Sequence, residues 1–230
     1  MSQDDLKKAA AEAALVHVRD GMRLGLGTGS TARPFVDAVG RLVAEGLNVV
    51  CVPTSEATAE QARGLNIPLS TLDETPHLDV TVDGADELDS QLRLIKGGGG
   101  ALLREKIVAS ASDEMVVIAD SSKRVDMLGA FALPIEVVQF GAQVTAGKVV
   151  GILSELGLKP DVRRREAASG PFITDGGNFI YDCHLEQLPN PEQLALALQA
   201  QTGVVEHGLF IGLAARAYVA SAEGVEELVA

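Results

Sequence analysis

The sequence predicts an α/β fold, a doubly wound and mostly parallel sheet with a smaller α+β unit in its second half. Three observations predict it. Short apolar runs alternate with amphipathic stretches from the N-terminus to about residue 128, as strands and helices do in a parallel sheet. Loops rich in glycine and acid follow three of those runs. Beyond about Leu128 the order changes to β-α-β-β-α, which suggests a small unit of split-βαβ type.

The elements follow in order. Ser2 caps a helix with Asp4 and Asp5 in its first turn, where the helix dipole favours acids; it runs to about Arg19, and Gly21 ends it. Arg23 to Leu26 reads as a buried strand, and a helix follows from about Ala32 to Glu45. Leu47 to Val52 is a continuous apolar run, the mark of a strand covered on both faces. Ser55 caps a helix to about Arg63, and a short strand follows near Ile67–Leu69. Leu78 to Val82 and Leu92 to Ile95 are strands, Ala101 to Ser110 a helix, and Met115 to Ala119 a strand. In the second half, Leu133 to Phe140 is a strand and Val144 to Leu156 a helix closed by Gly157. Val162 to Arg165 and Phe172 to Thr174 are short strands, and Asp175-Gly176-Gly177-Asn178 turns the chain into Phe179-Ile180-Tyr181. Pro191 starts a helix to about Gln201. Val204 to Ile211 and the C-terminal segment are expected to return to the main sheet. The expected division is a Rossmann-like unit of residues 1–128 plus 205–230, with a ferredoxin-like unit of residues 129–204.

Composition narrows the function. Apolar residues make up 47 % of the 230, enough for a packed core rather than a disordered chain. Aromatic residues are only 3 % and Trp is absent, so a base-stacking surface would be hard to build. The net charge of −13 repels a nucleic-acid backbone. The nearest basic run, Arg163-Arg164-Arg165, reads as a solvated strand or loop face. No nucleic-acid partner is therefore expected. Cys51 and Cys183 lie far apart in apolar stretches with no CxxC pair, as buried reduced thiols of a cytoplasmic protein do. The polar N-terminus does not read as a signal peptide, and no apolar run approaches the ~20 residues of a membrane span.

Three loops carry the chemistry. All follow strands, and ligands of open α/β sheets bind at the carboxyl ends of strands. Gly27-Thr28-Gly29-Ser30-Thr31-Ala32 joins a strand to a helix. Its small residues, hydroxyls and helix start suit an anion. It also fits the dinucleotide pattern G-x-G-x-x-A, but Val52-Pro53-Thr54 stands where the acid of that pattern belongs. Asp83-Gly84-Ala85-Asp86-Glu87 sets three carboxylates in five residues. Such acids orient sugar hydroxyls, hold a metal, or simply form a turn. Lys96 and four glycines, Gly97 to Gly100, precede the fourth helix. Consecutive glycines are entropically expensive and suit a backbone that lines a ligand. Glu105 falls one turn into the helix, placed either as a general base or as a solvated partner of a nearby cation.

Taken together, residues 25–31 (Gly-Leu-Gly-Thr-Gly-Ser-Thr), 82–87 (Val-Asp-Gly-Ala-Asp-Glu) and 96–106 (Lys-Gly-Gly-Gly-Gly-Ala-Leu-Leu-Arg-Glu-Lys) resemble the three signatures of A-type ribose-5-phosphate isomerases. Ala-Asp-Ser-Ser-Lys (119–123) resembles a fourth. The resemblance spans the whole chain, through Leu-Pro-Ile-Glu-Val (133–137), Thr-Asp-Gly-Gly-Asn (174–178) and Gly-Val-Val-Glu-His-Gly-Leu-Phe (203–210). It implies interconversion of ribose 5-phosphate and ribulose 5-phosphate in the pentose phosphate pathway, with no metal or organic cofactor. It implies homodimers or larger assemblies, with the smaller unit expected at the interface.

The resemblance also implies residue roles. Glu105 would be the base, and Asp83, Asp86 and Lys96 would hold and polarise the sugar. Thr28, Gly29, Ser30, Thr31, Gly84, Ala85, Gly97, Gly98, Gly99 and Lys123 would line the substrate site, with Lys7 a further phosphate ligand. Rival readings are a sugar-phosphate sensor domain of the same fold, a nucleotide-binding oxidoreductase resting on the first loop alone, and an amino-sugar deaminase.

Overall fold

The computed structural model describes residues 1–230. The first half winds as β1 (Arg23–Leu26), β2 (Val50–Pro53), β3 (Val80–Gly84), β4 (Glu87–Leu88), β5 (Leu94–Ile95) and β6 (Met115–Asp120), with α1 (Gln3–Ala14), α2 (Ala32–Ala44), α3 (Glu56–Gly64) and α4 (Leu102–Ser110). The second half holds β7 (Leu133–Val137), α5 (Ala142–Glu155), β8 (Val162–Arg164), β9 (Glu166–Ala167), β10 (Gly170–Pro171), β11 (Phe179–Cys183), α6 (Pro191–Gln199) and β12 (Val204–His207). The short β13 (Leu209–Phe210) leads to β14 (Ala214–Ser221) and β15 (Gly224–Val229).

The main sheet has the order β15-β14-β6-β3-β1-β2. Its pairings are parallel except for β14 with β15. Alternate strand residues feed opposite cores, as a pleat of period two requires. Leu24, Leu26, Val80, Val82, Val116 and Ile118 meet α1 and α2. Val117, Ala119, Ala217 and Val219 meet Leu88, Leu94 and Phe210 on the other face. Cys51 and Cys183 are buried and free. No helix is long and apolar enough to cross a membrane.

The second sheet has the order β12-β7-β11-β8, antiparallel throughout. With α5 and α6 this is a complete β-α-β-β-α-β ferredoxin-like arrangement. Leu133, Ile135 and Val137 pack with Val149, Leu153, Leu194 and Leu198. A third sheet, β13-β5-β4, bridges toward the main body.

Several expectations need correction. Residues 204–211 do not return to the main sheet. β12 pairs with β7, with a bulge between Val204 and Glu206, and supplies the sixth element of the small unit. β13 pairs with β5, and only β14 and β15 rejoin the main sheet. The first helix ends at Ala14 and tightens into a 3₁₀ turn over Leu15–His17. Leu69 makes a single bridge to Cys51 rather than a strand. Phe172–Thr174 contributes one bridge, Ile173 to Phe179; the chain before it forms the β9–β10 hairpin instead.

Candidate active site

The first loop is shaped by strand packing before any ligand is considered. Gly25 and Gly27 lie so close to Thr81 and Asp83 that a Cβ at either position would collide with those side chains. Gly29 has a φ of +101°, which an L side chain rarely adopts. The N–H groups of Gly29, Ser30 and Thr31 have no partner within the protein, and they stand at the start of a 13-residue helix. Aligned free donors at a helix start attract an anion. The Lys7 ammonium reaches this end and donates to Ser30 Oγ at 3.0 Å.

Thr28 behaves differently from its neighbours. Its hydroxyl is not offered to an anion, because it bonds Thr54 (2.7 Å), Ser55 (2.8 Å) and Thr58 (3.0 Å). Thr58 in turn donates to Gly27 O. These hydroxyls occupy the end of β2, where a dinucleotide site would keep its acid. Thr28 presents its methyl group toward the glycine loop.

The three acids after β3 diverge. Asp83 Oδ1 accepts from Thr28 N (3.0 Å) and Gly84 N (2.7 Å). Asp86 Oδ2 accepts from Gly98 N at 2.7 Å. Glu87 accepts from Gly129 N and Phe131 N, and so ties down the chain entering the small unit. Three separate partners leave no shared cation shell, and no group of three or more His, Cys, Asp or Glu side chains is arranged to hold a metal ion.

Behind the cleft lies a buried charge triad. Lys96 Nζ sits 3.0 Å from Asp83 Oδ2 and 3.5 Å from Glu105 Oε2, and donates to Gly84 O at 2.6 Å. The Phe210 ring lies 5.4 Å from the same ammonium. One cation thus serves two buried carboxylates. Asp83 Oδ2 and Glu105 Oε2 face the ammonium without hydrogen-bond alignment. Burial pushes the Glu105 carboxyl up to about 8, with Lys96 opposing that rise. Burial also raises Asp83, again against the pull of Lys96. Burial weighs against the Lys96 ammonium, but Asp83 and Glu105 outweigh it and hold its pKa above the ordinary value. Two backbone donors on Oδ1 favour the ionised form of Asp83.

The structure brings most of the sequence-predicted residues together. A cleft of about 240 Å³ is lined by Thr28, Gly29, Ser30, Thr31, Gly84, Ala85, Asp86, Lys96, Gly97, Gly98, Gly99, Glu105 and Lys123. Asp83 lies beneath this surface, fully buried, and Lys7 stands at its edge through Ser30. A larger hollow of about 420 Å³ opens between α3, the 69–74 loop and α4. It is more apolar and contains none of the three loops' acids or glycines.

Other residues that support the cleft are not marked by the sequence motifs. Thr54, Ser55 and Thr58 fix the first loop; the run Thr54-Ser55 after a strand was the available signal. Phe210 is fully buried against Lys96, and Lys106 Nζ lies 5.0 Å from the same ring. Lys106 is pinned by Glu206 and by His207 O, both at 2.7 Å, which ties the helix carrying Glu105 to β12. Arg165 is not a solvated residue: its side chain is 16 % exposed and it bonds the glycine loop. Arg163 and Arg164 do stay exposed.

The model of the family described as ribose 5-phosphate isomerase A (phosphoriboisomerase A) matches residues 50–224. Ribose-5-phosphate isomerase A of Parvibaculum lavamentivorans is 58 % identical, with 98 % of each chain covered. The Sinorhizobium fredii protein of the same name is 55 % identical over the full length of both chains. Among solved structures, ribose 5-phosphate isomerase A from Methanocaldococcus jannaschii superposes with a TM-score of 0.91 at 40 % identity, covering both chains completely. A D-ribose-5-phosphate isomerase in complex with phospho-erythronic acid superposes with a TM-score of 0.93 at 36 % identity, also over both whole chains.

Proposed function

This chain belongs to the ribose 5-phosphate isomerase A family and is an isomerase, and we propose that it interconverts D-ribose 5-phosphate and D-ribulose 5-phosphate through an enediolate, with Glu105 as the base. The observation that carries the mechanism is Glu105 itself: a buried carboxylate at the cleft surface, with an oxygen free of hydrogen bonds and a lysine ammonium 3.5 Å away.

The chemistry follows from placement. The phosphate binds at the open end, on the free N–H groups before α2 together with Ser30, Lys7 and Lys123. The open-chain sugar then reaches toward α4. Glu105 removes the C2 proton, which the C1 carbonyl acidifies, and charge develops on O1. Lys96 and the glycine-loop N–H groups stabilise that charge. Glu105 delivers its proton to C1 while the O2 proton passes to O1, and the ketose results. Asp86 orients a sugar hydroxyl from the cleft wall. Asp83 acts through Lys96 rather than on the sugar, since it lies under the floor.

The phospho-erythronic acid bound by the structural relative carries a phosphate and a carboxylate on one short polyol. On this chain its carboxylate would sit where the enediolate charge develops. The reaction places the protein in the non-oxidative pentose phosphate pathway. The assembly proposed is a homodimer in which residues 129–204 contribute the interface. Phe140 is 94 % exposed, with Val138 and Val144 beside it on that unit. Light scattering of Phe140→Asp, against the unchanged chain, tests the dimer.

Isomerisation of ribose 5-phosphate by the purified, EDTA-treated protein, followed as ketose formation beside Glu105→Gln, tests the function. Activity in the native chain and loss in the variant are expected. A native chain that binds ribose 5-phosphate without turning it over would overturn the proposal.

A further inference from the structure

Arg165 belongs to the small unit, between β8 and β9, yet its guanidinium reaches across to the glycine loop. Nη1 donates to Gly97 O at 2.9 Å and to Gly98 O at 3.1 Å. Nε and Nη2 grip the two carboxylate oxygens of Asp182 at 2.9 and 2.5 Å. The guanidinium carbon lies 5.7 Å from the centre of the Phe172 ring. That ring packs on Gly100 so closely that a Cβ there would collide with it. All five donor directions of a guanidinium are fixed relative to one another, so an arginine clamped by Asp182 presents Nη1 at one place only.

The consequence falls on the N–H groups of the loop. In a planar trans peptide the C=O and N–H point in opposite directions. The Gly97–Gly98 peptide is therefore held at both ends, its oxygen by Arg165 and its N–H by Asp86. The next peptide has its Gly98 oxygen on Arg165, which turns the Gly99 N–H away from the arginine. Gly99 N has no partner within the protein, and Gly99 lines the cleft. Glycines adopt many backbone conformations, so this run would not hold that orientation unaided. The cation at the carbonyl end also polarises both peptides and strengthens their N–H ends as donors.

We propose that Arg165 is a positioning residue for the isomerase reaction: by holding the Gly97 and Gly98 carbonyls it aims the Gly99 N–H at the oxyanion that develops during proton transfer. Asp182 and Phe172 fix Arg165 in turn. The proposal rests on the reading of the cleft given under Proposed function, in which the sugar's reacting end lies against the glycine loop.

Arg165→Met, Arg165→Ala, Arg165→Lys and Asp182→Asn, assayed with ribose 5-phosphate beside Glu105→Gln, test it. Misaiming a donor that acts in the transition state lowers kcat and leaves KM nearly unchanged. Arg165→Met is expected to lose about tenfold or more in kcat per folded molecule, with KM within about threefold. Arg165→Lys keeps the charge but not the fork, and Asp182→Asn keeps the fork but loosens it. Both should lose kcat in the same direction by less. Guanidinium ion at non-denaturing concentration should restore part of the kcat of Arg165→Ala, which a purely structural role would not permit. If kcat per folded molecule stays within about twofold in all of these variants, or if the loss appears in KM alone, the assignment is overturned. Where Glu105→Gln is inactive and Arg165→Met is normal, only Arg165 loses its role. Where Glu105→Gln itself turns over normally, the reading of the cleft fails and the proposal falls with it.

Discussion

At one end of the cleft Asp83, Lys96 and Glu105 are 0, 2 and 3 % exposed. At the other, Ser30 is exposed and Lys7 and Lys123 are only half-buried. The buried end is held by short polar contacts to β3, β5 and α4, and its charges shift one another's pKa values. The open end offers backbone N–H groups at a helix start that has no side-chain cap, with Lys7 and Ser30 beside them. On the proposed mechanism the difference separates two tasks. Charge taken out of water interacts strongly and is worth most where charge develops during reaction. Charge left in water is screened and adaptable, which suits holding a dianion that is present throughout.

Substitutions at the two ends should therefore fail in different ways. Glu105→Gln should lower kcat by about 10²–10⁴, the usual contribution of a positioned base, while sugar-phosphate binding measured by calorimetry persists. Lys96→Met should lower kcat by about 10²–10³ as a lost oxyanion donor. It should also destabilise the fold by about 3–5 kcal/mol, because two buried carboxylates lose their cation; urea unfolding reads the second effect. Loss of catalysis without loss of stability would mean that water replaces the ammonium.

The pH profile sharpens the contrast. A base must be ionised, and Glu105 is pushed up to about 8, so kcat/KM should rise with pH, pass half its maximum near 8 and level off above it. Lys123→Ala and Lys7→Ala should raise KM by about tenfold with kcat nearly unchanged, and added salt should narrow that difference. A fall in kcat alone would place the lysines at the wrong end.

The smallest effect is on stability. The folded-state pKa of Glu105 lies above its ordinary value of 4.5. Between about pH 4.5 and 8 the folded chain keeps a proton that the unfolded chain has lost, so this group's contribution declines as pH rises through that window. Glu105→Gln removes the titration. Its melting temperature should gain on the native chain by several degrees between pH 5 and pH 8.

The main sheet was legible because its strands and helices alternate in period and because each loop that matters follows a strand. Lys96 stands beside the run Gly97–Gly100, Asp86 two residues after Gly84 and Glu105 one turn into the helix that follows, so their place near the loops was readable, while their roles came from the family resemblance. Asp83 was found but not its depth, since a motif does not say which carboxylate of a pair faces inward. The fate of Val204–His207 was not readable either: a short strand of two valines, Glu206 and His207 can pair with any sheet edge, and only tertiary contact chooses β7. Arg165 was hidden by its neighbours. Three consecutive arginines read as a solvated face, yet in a strand alternate side chains face opposite ways, and the chain turns at that residue toward Asp182 and the glycine loop. Thr28 shows the same limit in a hydroxyl: its residue type fitted an anion, while its actual partners are Thr54, Ser55 and Thr58.

The most direct test of the central claim is turnover of ribose 5-phosphate carrying deuterium at C2, by the native chain and by Glu105→Gln, with binding of the sugar phosphate measured on both. The account predicts slower turnover of the deuterated sugar by the native chain, and almost no turnover by a variant that still binds. Turnover by Glu105→Gln at the native rate, with the same isotope effect, would contradict it and move the base elsewhere in the cleft.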